Sequence, residues 1–198
     1  MTETAVPNPA APRTLMAVIG SVRPGRQGDK WGRWIADVAR RHSGYAVEVV
    51  DLAELALPFL DEPHHPRLHR YEHEHTKQWS AKAAAADAFV FVTPEYNYSF
   101  PASLKNALDY LYVEWKDKVA GVVSYGGLSG GLRATHQLRQ VLEALGLAVP
   151  PGTVAIPFSA QYLTEEGGVD APDSAVLSAQ TMLAEMERVG ALLRPHAS

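Results

Sequence analysis

The 198-residue sequence contains no cysteine. That absence excludes disulfide scaffolds, thiolate zinc sites, iron–sulfur ligation and a cysteine nucleophile. A basic excess is missing too: 18 Lys and Arg stand against 22 Asp and Glu, a formal net charge of −4. Nucleic acid and anionic membranes are recognised through such an excess, so neither is an expected partner. No stretch approaches the roughly 18 uninterrupted apolar residues of a membrane-spanning helix, and no apolar targeting segment follows the first methionine. A cytoplasmic protein is the expectation. What is present is a 46% hydrophobic composition, in keeping with one domain that builds its own core.

Residues 1–14, MTETAVPNPAAPRT, are rich in Pro, Ala and Thr without periodicity and are expected to form a disordered leader. Residues 15–198 are then a single domain. Five apolar runs, 15–19, 47–50, 89–93, 119–124 and 153–156, alternate with helical patterns, the signature of parallel strands joined by helical crossovers. Trp31, Trp34, Ile35, Val38 and Ala39 share one helix face. So do Leu104, Ala107, Leu108 and Leu111, and then Leu132, Leu138, Val141, Leu142 and Leu145. The Ala-rich span 76–86 is helical on propensity. Val176, Ala179, Leu183, Met186, Gly190 and Leu193 mark a closing helix, with Asp173 or Ser174 as its cap. Pro150, Pro151 and Pro157 confine the last strand to a sheet edge. The fold class is therefore α/β: a three-layer, doubly wound, five-stranded parallel sheet in the flavodoxin-like order 2-1-3-4-5.

In such a sheet, ligands bind beyond the carboxyl ends of the strands where the order reverses. Three loops meet there. After the first strand comes GSVRPGRQG, whose glycines, Arg23, Arg26 and following helix N-terminus suit a phosphate. Arg26-Gln27 stands where a Walker A motif needs Lys-Ser/Thr, and the G-x-G-x-x-G spacing is absent, which disfavours an ATPase or a dinucleotide fingerprint. After the third strand, Pro94, Glu95, Tyr96, Asn97, Tyr98 and Ser99 form a polar, aromatic loop that suits a planar heterocycle. Its plainer alternative is turn chemistry and helix capping by Asn97 or Ser99. After the fourth strand comes SYGGLSGG, where bare backbone permits close approach to a flat ligand edge.

On GSVRPGRQG, TPEYNYSFPASLKNALDYL and SYGGLSGGLRATHQLRQVLEALG, the sequence resembles the NAD(P)H-dependent FMN reductases, which include related quinone, azo-dye and chromate reductases. The resemblance covers about residues 15–148. It implies an FMN cofactor, NADPH or NADH as co-substrate, and ping-pong hydride transfer to a small acceptor such as free flavin or a quinone. It also implies that Ser21, Arg23 and the amides around Arg26, Gln27 and Gly28 hold the FMN phosphate. Pro94, Glu95, Tyr96, Asn97 and Tyr98 would lie against the isoalloxazine, with Ser124, Tyr125, Gly126 and Gly127 along its other side. Tyr98 is the side chain expected to border the nicotinamide or quinone. Many relatives carry Ser and Asn at the positions of Arg26 and Gly28, and His followed by Gly at those of Tyr98 and Ser99. A homodimer or homotetramer built around the helix LKNALDYL is implied as well, although Lys105 and Asp109 are also spaced for a local ion pair.

Two rival readings follow from other features. His64, His65, His69, His73 and His75 cluster in one segment, and His69, Glu72 and His73 have the H-x-x-E-H spacing of an inverted zincin. Pro63, Pro66 and a weak apolar face argue against a helix there, so a solvated covering loop without metal is expected. A flavodoxin-type electron carrier would share the fold but present a strongly acidic surface, which a net charge of −4 does not supply.

Overall fold

The computed structural model describes residues 13–193. Its elements are β1 (Thr14–Ile19), α1 (Gly28–His42), β2 (Ala46–Asp51), α2 (Leu52–Leu55), α3 (Glu74–Ala85), β3 (Ala88–Pro94), α4 (Ala102–Asp109), β4 (Val119–Tyr125), α5 (Leu132–Ala144), β5 (Val154–Ile156) and α6 (Asp173–Leu192). Single 3₁₀ turns occupy Pro66–Leu68 and Ser159–Tyr162. The strands form one parallel sheet in the order β2-β1-β3-β4-β5, the expected doubly wound topology.

Two hydrophobic layers follow from the period-two alternation of the central strands. Met16, Val18, Phe89 and Phe91 point to the side covered by α3, α4 and α5, where Trp79, Leu104, Trp115 and Leu138 are buried. Leu15, Val90 and Val92 point to the other, under Trp31 and Ile35 of α1 and Met182, Leu183 and Met186 of α6. Gly121 of β4 makes this second layer possible. A Cβ there would lie 2.7 Å from the Met186 sulfur and 2.8 Å from that of Met182, so any larger residue would displace the side chains that seat α6 on the sheet.

Two expectations need adjustment. β1 begins at Thr14, inside the span assigned to the leader, because Thr14 pairs with Ala46 and its N–H donates to Asp87 at 2.8 Å. Residues 1–12 of that leader lie outside the described residues. α6 is capped at Pro172 without a side-chain bond, and Asp173 stands inside the first turn, where a carboxylate complements the helix dipole.

The histidine-bearing segment 57–73 is a strap laid across α3 and α4. Asn106 fixes its start, donating to the Pro58 carbonyl at 2.7 Å and accepting from Leu60 N–H at 3.0 Å. Its far end is fixed by Glu114, whose fully buried carboxylate accepts from Tyr71 (2.9 Å), Ser80 (2.6 Å) and the Tyr112 N–H (3.1 Å). No helix among the described residues is long and apolar enough to cross a membrane.

Candidate active site

The phosphate-type loop is held from below. Gly20 N–H donates to the Val92 carbonyl (2.9 Å), and the Ser103 hydroxyl donates to the Gly20 carbonyl (2.6 Å), so the loop is tied to both β3 and α4. Gly25, at φ 70°, turns the chain back, and the N-cap of α1, Gln27, makes no side-chain cap bond. Lys30 N–H turns back to the Gln27 carbonyl at 3.1 Å, and the N–H groups ahead of it carry the positive helix end that attracts an anion. Arg23 stands exposed at the rim. Arg26 has a different engagement: its guanidinium binds the Asp51 carboxylate at 2.6 Å, joining the loop to the end of β2.

Ser21 is buried, with its hydroxyl 2.7 Å from that of Tyr96, so it links the first and third loops beneath the surface. Tyr125, the last residue of β4, sends its ring under the start of α1. A Cβ on Gly28 would lie 2.7 Å from the Tyr125 hydroxyl, which explains why this first-turn position carries no side chain. That hydroxyl is buried beside Ser21 and Tyr96 without a well-formed hydrogen bond, and burial pushes its pKa up.

The Pro94–Tyr98 loop closes as a two-residue hairpin. Asn97 and Tyr98 both have positive φ, 48° and 71°, and Tyr96 and Ser99 exchange backbone bonds of 2.7 and 2.9 Å. Of the plainer alternative, the turn forms and the capping of α4 by Asn97 or Ser99 does not. Pro101 caps the helix, and the Ser99 hydroxyl donates to Gln137 instead (2.7 Å). Glu95 turns its carboxylate away from the cleft, accepting from Arg133 (2.7 Å), the Arg133 N–H (3.1 Å) and Ser129 (2.9 Å). Burial alone would raise the Glu95 pKa, but these donors hold it below the ordinary carboxylate value. The Tyr98 ring is 64% exposed, with the Arg133 guanidinium 4.2 Å from its centre, and sits on the outer rim rather than in the cleft lining.

On the opposite wall the Ser124 side chain is buried, donating to the Gly130 carbonyl at 2.8 Å, so it buttresses the glycine loop from behind. A Cβ on Gly127 would meet nothing within 4 Å, which leaves this backbone open to a flat ligand edge. A fourth segment, absent from the sequence reading, completes the wall. Phe158 N–H donates to Gly127 (3.0 Å), Ser159 N–H to Gly126 (3.1 Å), and the Ser159 hydroxyl to the Gln27 side chain (3.0 Å). Its sequence signal is faint, since only the aromatic after Pro157 sets it apart.

The four segments enclose a cleft of about 560 Å³. Arg23, Arg26, Gln27, Pro94, Glu95, Tyr96, Tyr125, Gly126 and Gly127 line it, with Gly25 and residues 158–161. Ser21, Gly28, Asn97, Tyr98 and Ser124 support or flank it. Such a volume, bare backbone on two walls and an uncapped helix N-terminus at one end suit a flat heterocycle carrying a phosphate.

The histidine pattern does not assemble. His69 ends the 3₁₀ turn with φ 50° and contacts Glu114 at 3.3 Å, while His73 caps α3, stacks on His75 and contacts the Asp61 carbonyl. Glu72 contacts His64. The required single helical turn never forms, because Pro66 and the strap's ties to α4 dictate another path, and no group of three metal-ligating side chains occurs among the described residues. Lys105 and Asp109 make the local pair, at 2.7 Å.

Residues 14–161 match the model of the NADPH-dependent FMN reductases. The chain is 43% identical over 158 residues to an NAD(P)H-dependent FMN reductase of Schizosaccharomyces pombe, covering 79% of this chain and 78% of that one. It is 33% identical over 162 residues to a quinone reductase of Pseudomonas putida, covering 78% and 83%. Among solved structures, the flavoenzyme NAD(P)H:(acceptor) oxidoreductase FerB of Paracoccus denitrificans superposes with a TM-score of 0.69 at 24% identity, over 89% of this chain and 97% of that one, a likeness of fold. Matched over about three quarters of its length, the chain belongs to the NADPH-dependent FMN reductase family.

Proposed function

We propose that the cleft holds FMN and serves both halves of a ping-pong reaction, in which NAD(P)H delivers hydride and a small acceptor collects it at the same place. The chain is an NAD(P)H-dependent oxidoreductase by family. Bound flavin supplies the hydride chemistry, so the protein supplies binding, orientation and electrostatics. The first-turn N–H groups of α1, from Gln27 and Gly28 onward, and the Arg23 guanidinium hold the phosphate. Backbone at Pro94, Glu95 and Tyr96 forms one wall and Gly126 and Gly127 the other, with Ser21 and Tyr125 shaping the floor between them. Tyr98, at the rim, borders the arriving nicotinamide or quinone. Arg26 acts indirectly, holding the loop to Asp51.

The observation that carries this proposal is the meeting of an uncapped, arginine-flanked helix N-terminus and two bare-backbone walls in one cleft. Its test is the visible absorption spectrum of FMN-loaded protein before and after anaerobic NADPH. Flavin bands that bleach support it; failure to bind FMN at saturation overturns it. Direct NADPH oxidation also separates a reductase from an electron carrier, which needs a separate reductase. Replacing Tyr98 by Ala should raise the KM for NAD(P)H and quinone, and unchanged kinetics would remove Tyr98 from the site. We propose a homodimer as well, supported by an apolar groove of about 540 Å³ beside α4, lined by Val22, Leu57, Phe59 and Ala107. Sedimentation of a monomer would overturn that.

A further inference from the structure

The Phe158 backbone helps to complete the cleft wall, yet its ring has no part in the binding scheme above. The residue lines the cleft, stays 55% exposed and belongs to neither hydrophobic layer. Its φ is 48°, in the left-handed region where glycine is the ordinary choice and an aromatic residue is uncommon. The conformation is imposed from outside. Phe158 and Ser159 N–H bind the Gly127 and Gly126 carbonyls, and Ser159 reaches across to Gln27. Gly130 leaves room for the turn, since a Cβ there would approach the backbone nitrogens of Ile156 and Pro157 to 3.0 Å. A large apolar side chain in a strained backbone, outside both core layers and on the cleft lining, directs attention to what its ring meets there.

We propose that Phe158 is a specificity-determining residue whose ring holds a flat aromatic acceptor of the naphthoquinone class. The proposal rests on the cleft being the flavin and acceptor site. The reaction served is NAD(P)H plus quinone plus one proton giving NAD(P)⁺ plus hydroquinone, with two electrons leaving the nicotinamide and arriving at the quinone. Phe158 takes no part in that transfer. It offers an apolar π-face to a planar ring, and a small charged acceptor has no use for it.

The test uses FMN-loaded protein, with 2-methyl-1,4-naphthoquinone and ferricyanide as alternative acceptors, and the variants Phe158→Ala, Phe158→Gly and Phe158→Trp. Loss of the ring should raise the naphthoquinone KM about tenfold, the ratio that 1.4 kcal/mol of lost stacking produces. Turnover with ferricyanide and the FMN Kd should stay as in the wild type, and Trp should restore the quinone KM. Because glycine relieves the left-handed strain, Phe158→Gly should keep or raise Tm while losing quinone affinity. A lowered Tm in that variant would make the ring merely structural. An equal loss with both acceptors, or a weakened FMN Kd alone, would place Phe158 against the flavin and overturn the proposal. Wild-type protein that binds no FMN would overturn the cleft reading itself, a result distinct from all of these.

Discussion

Replacing Gly28 by Ala puts a methyl group 2.7 Å from the Tyr125 hydroxyl and 3.3 Å from Ile19 Cγ2. Tyr125 is 5% exposed and packed in the α1 and α6 layer, so its ring can yield only by shifting toward the cleft it lines. Overpacking of this kind costs about 1–3 kcal/mol. Alanine in a first helical turn recovers at most ~1 kcal/mol over glycine. The net loss is about 1–2 kcal/mol, or roughly 2–8 °C in Tm for a chain of this size. Tyr125→Phe removes the obstructing hydroxyl, and because that group makes no well-formed hydrogen bond its loss alone should be nearly neutral. In the Tyr125→Phe background, Gly28→Ala should therefore cost little, a coupling of about 1 kcal/mol measurable by chemical denaturation of the four proteins. FMN titration, followed by quenching of flavin fluorescence, should show the same pattern, weakened in Gly28→Ala and recovered in the double variant. Equal costs in both backgrounds would refute the steric argument, and unchanged FMN affinity throughout would detach the first turn of α1 from the phosphate.

Arg23→Ala should raise the FMN Kd about tenfold by removing one charge-assisted contact, as read by the same titration; an unchanged Kd excludes it from the phosphate site. Arg133→Ala should lower Tm most near neutral pH. Glu95 has a depressed pKa, so its stabilisation is present above the unfolded value near 4.3 and is lost as pH falls through the folded one; the gap from wild type should close toward pH 3, and a constant gap would contradict this. Glu114→Ala leaves the buried donors of Tyr71, Ser80 and Tyr112 unmatched and should cost about 3 kcal/mol, with new protease cuts in 57–73; an uncut strap would show that other ties suffice.

The sheet was readable because a strand covered on both faces must be apolar throughout, as 89–92 is, and because helical spacing around Trp31 or Leu138 has no other use. Three of the site's four segments were readable for a similar reason: glycines and a PEYN-type turn at strand ends mark where backbone, not side chain, faces a ligand. What escaped depended on distant pairings. Arg26 in a phosphate-type loop looks free until Asp51, twenty-five positions on, binds it. Tyr98 is legible as a loop residue, but the placing of its ring at the rim comes from Arg133 and the Tyr96–Ser99 hairpin. Phe158 shows no periodicity at all, since its place comes from bonds to Gly126 and Gly127.

The dependence of the second core layer on α6 also bears on the order of synthesis. Met182, Leu183 and Met186 arrive in the last helix, yet they cover β4 and pack beside α1, an element made near the start. Until α6 has emerged, the part of that side that α1 does not cover, including the gap above Gly121, stays bare and sticky. During synthesis this layer therefore closes only once α6 has emerged, and the need of the growing chain for a chaperone should peak before that point.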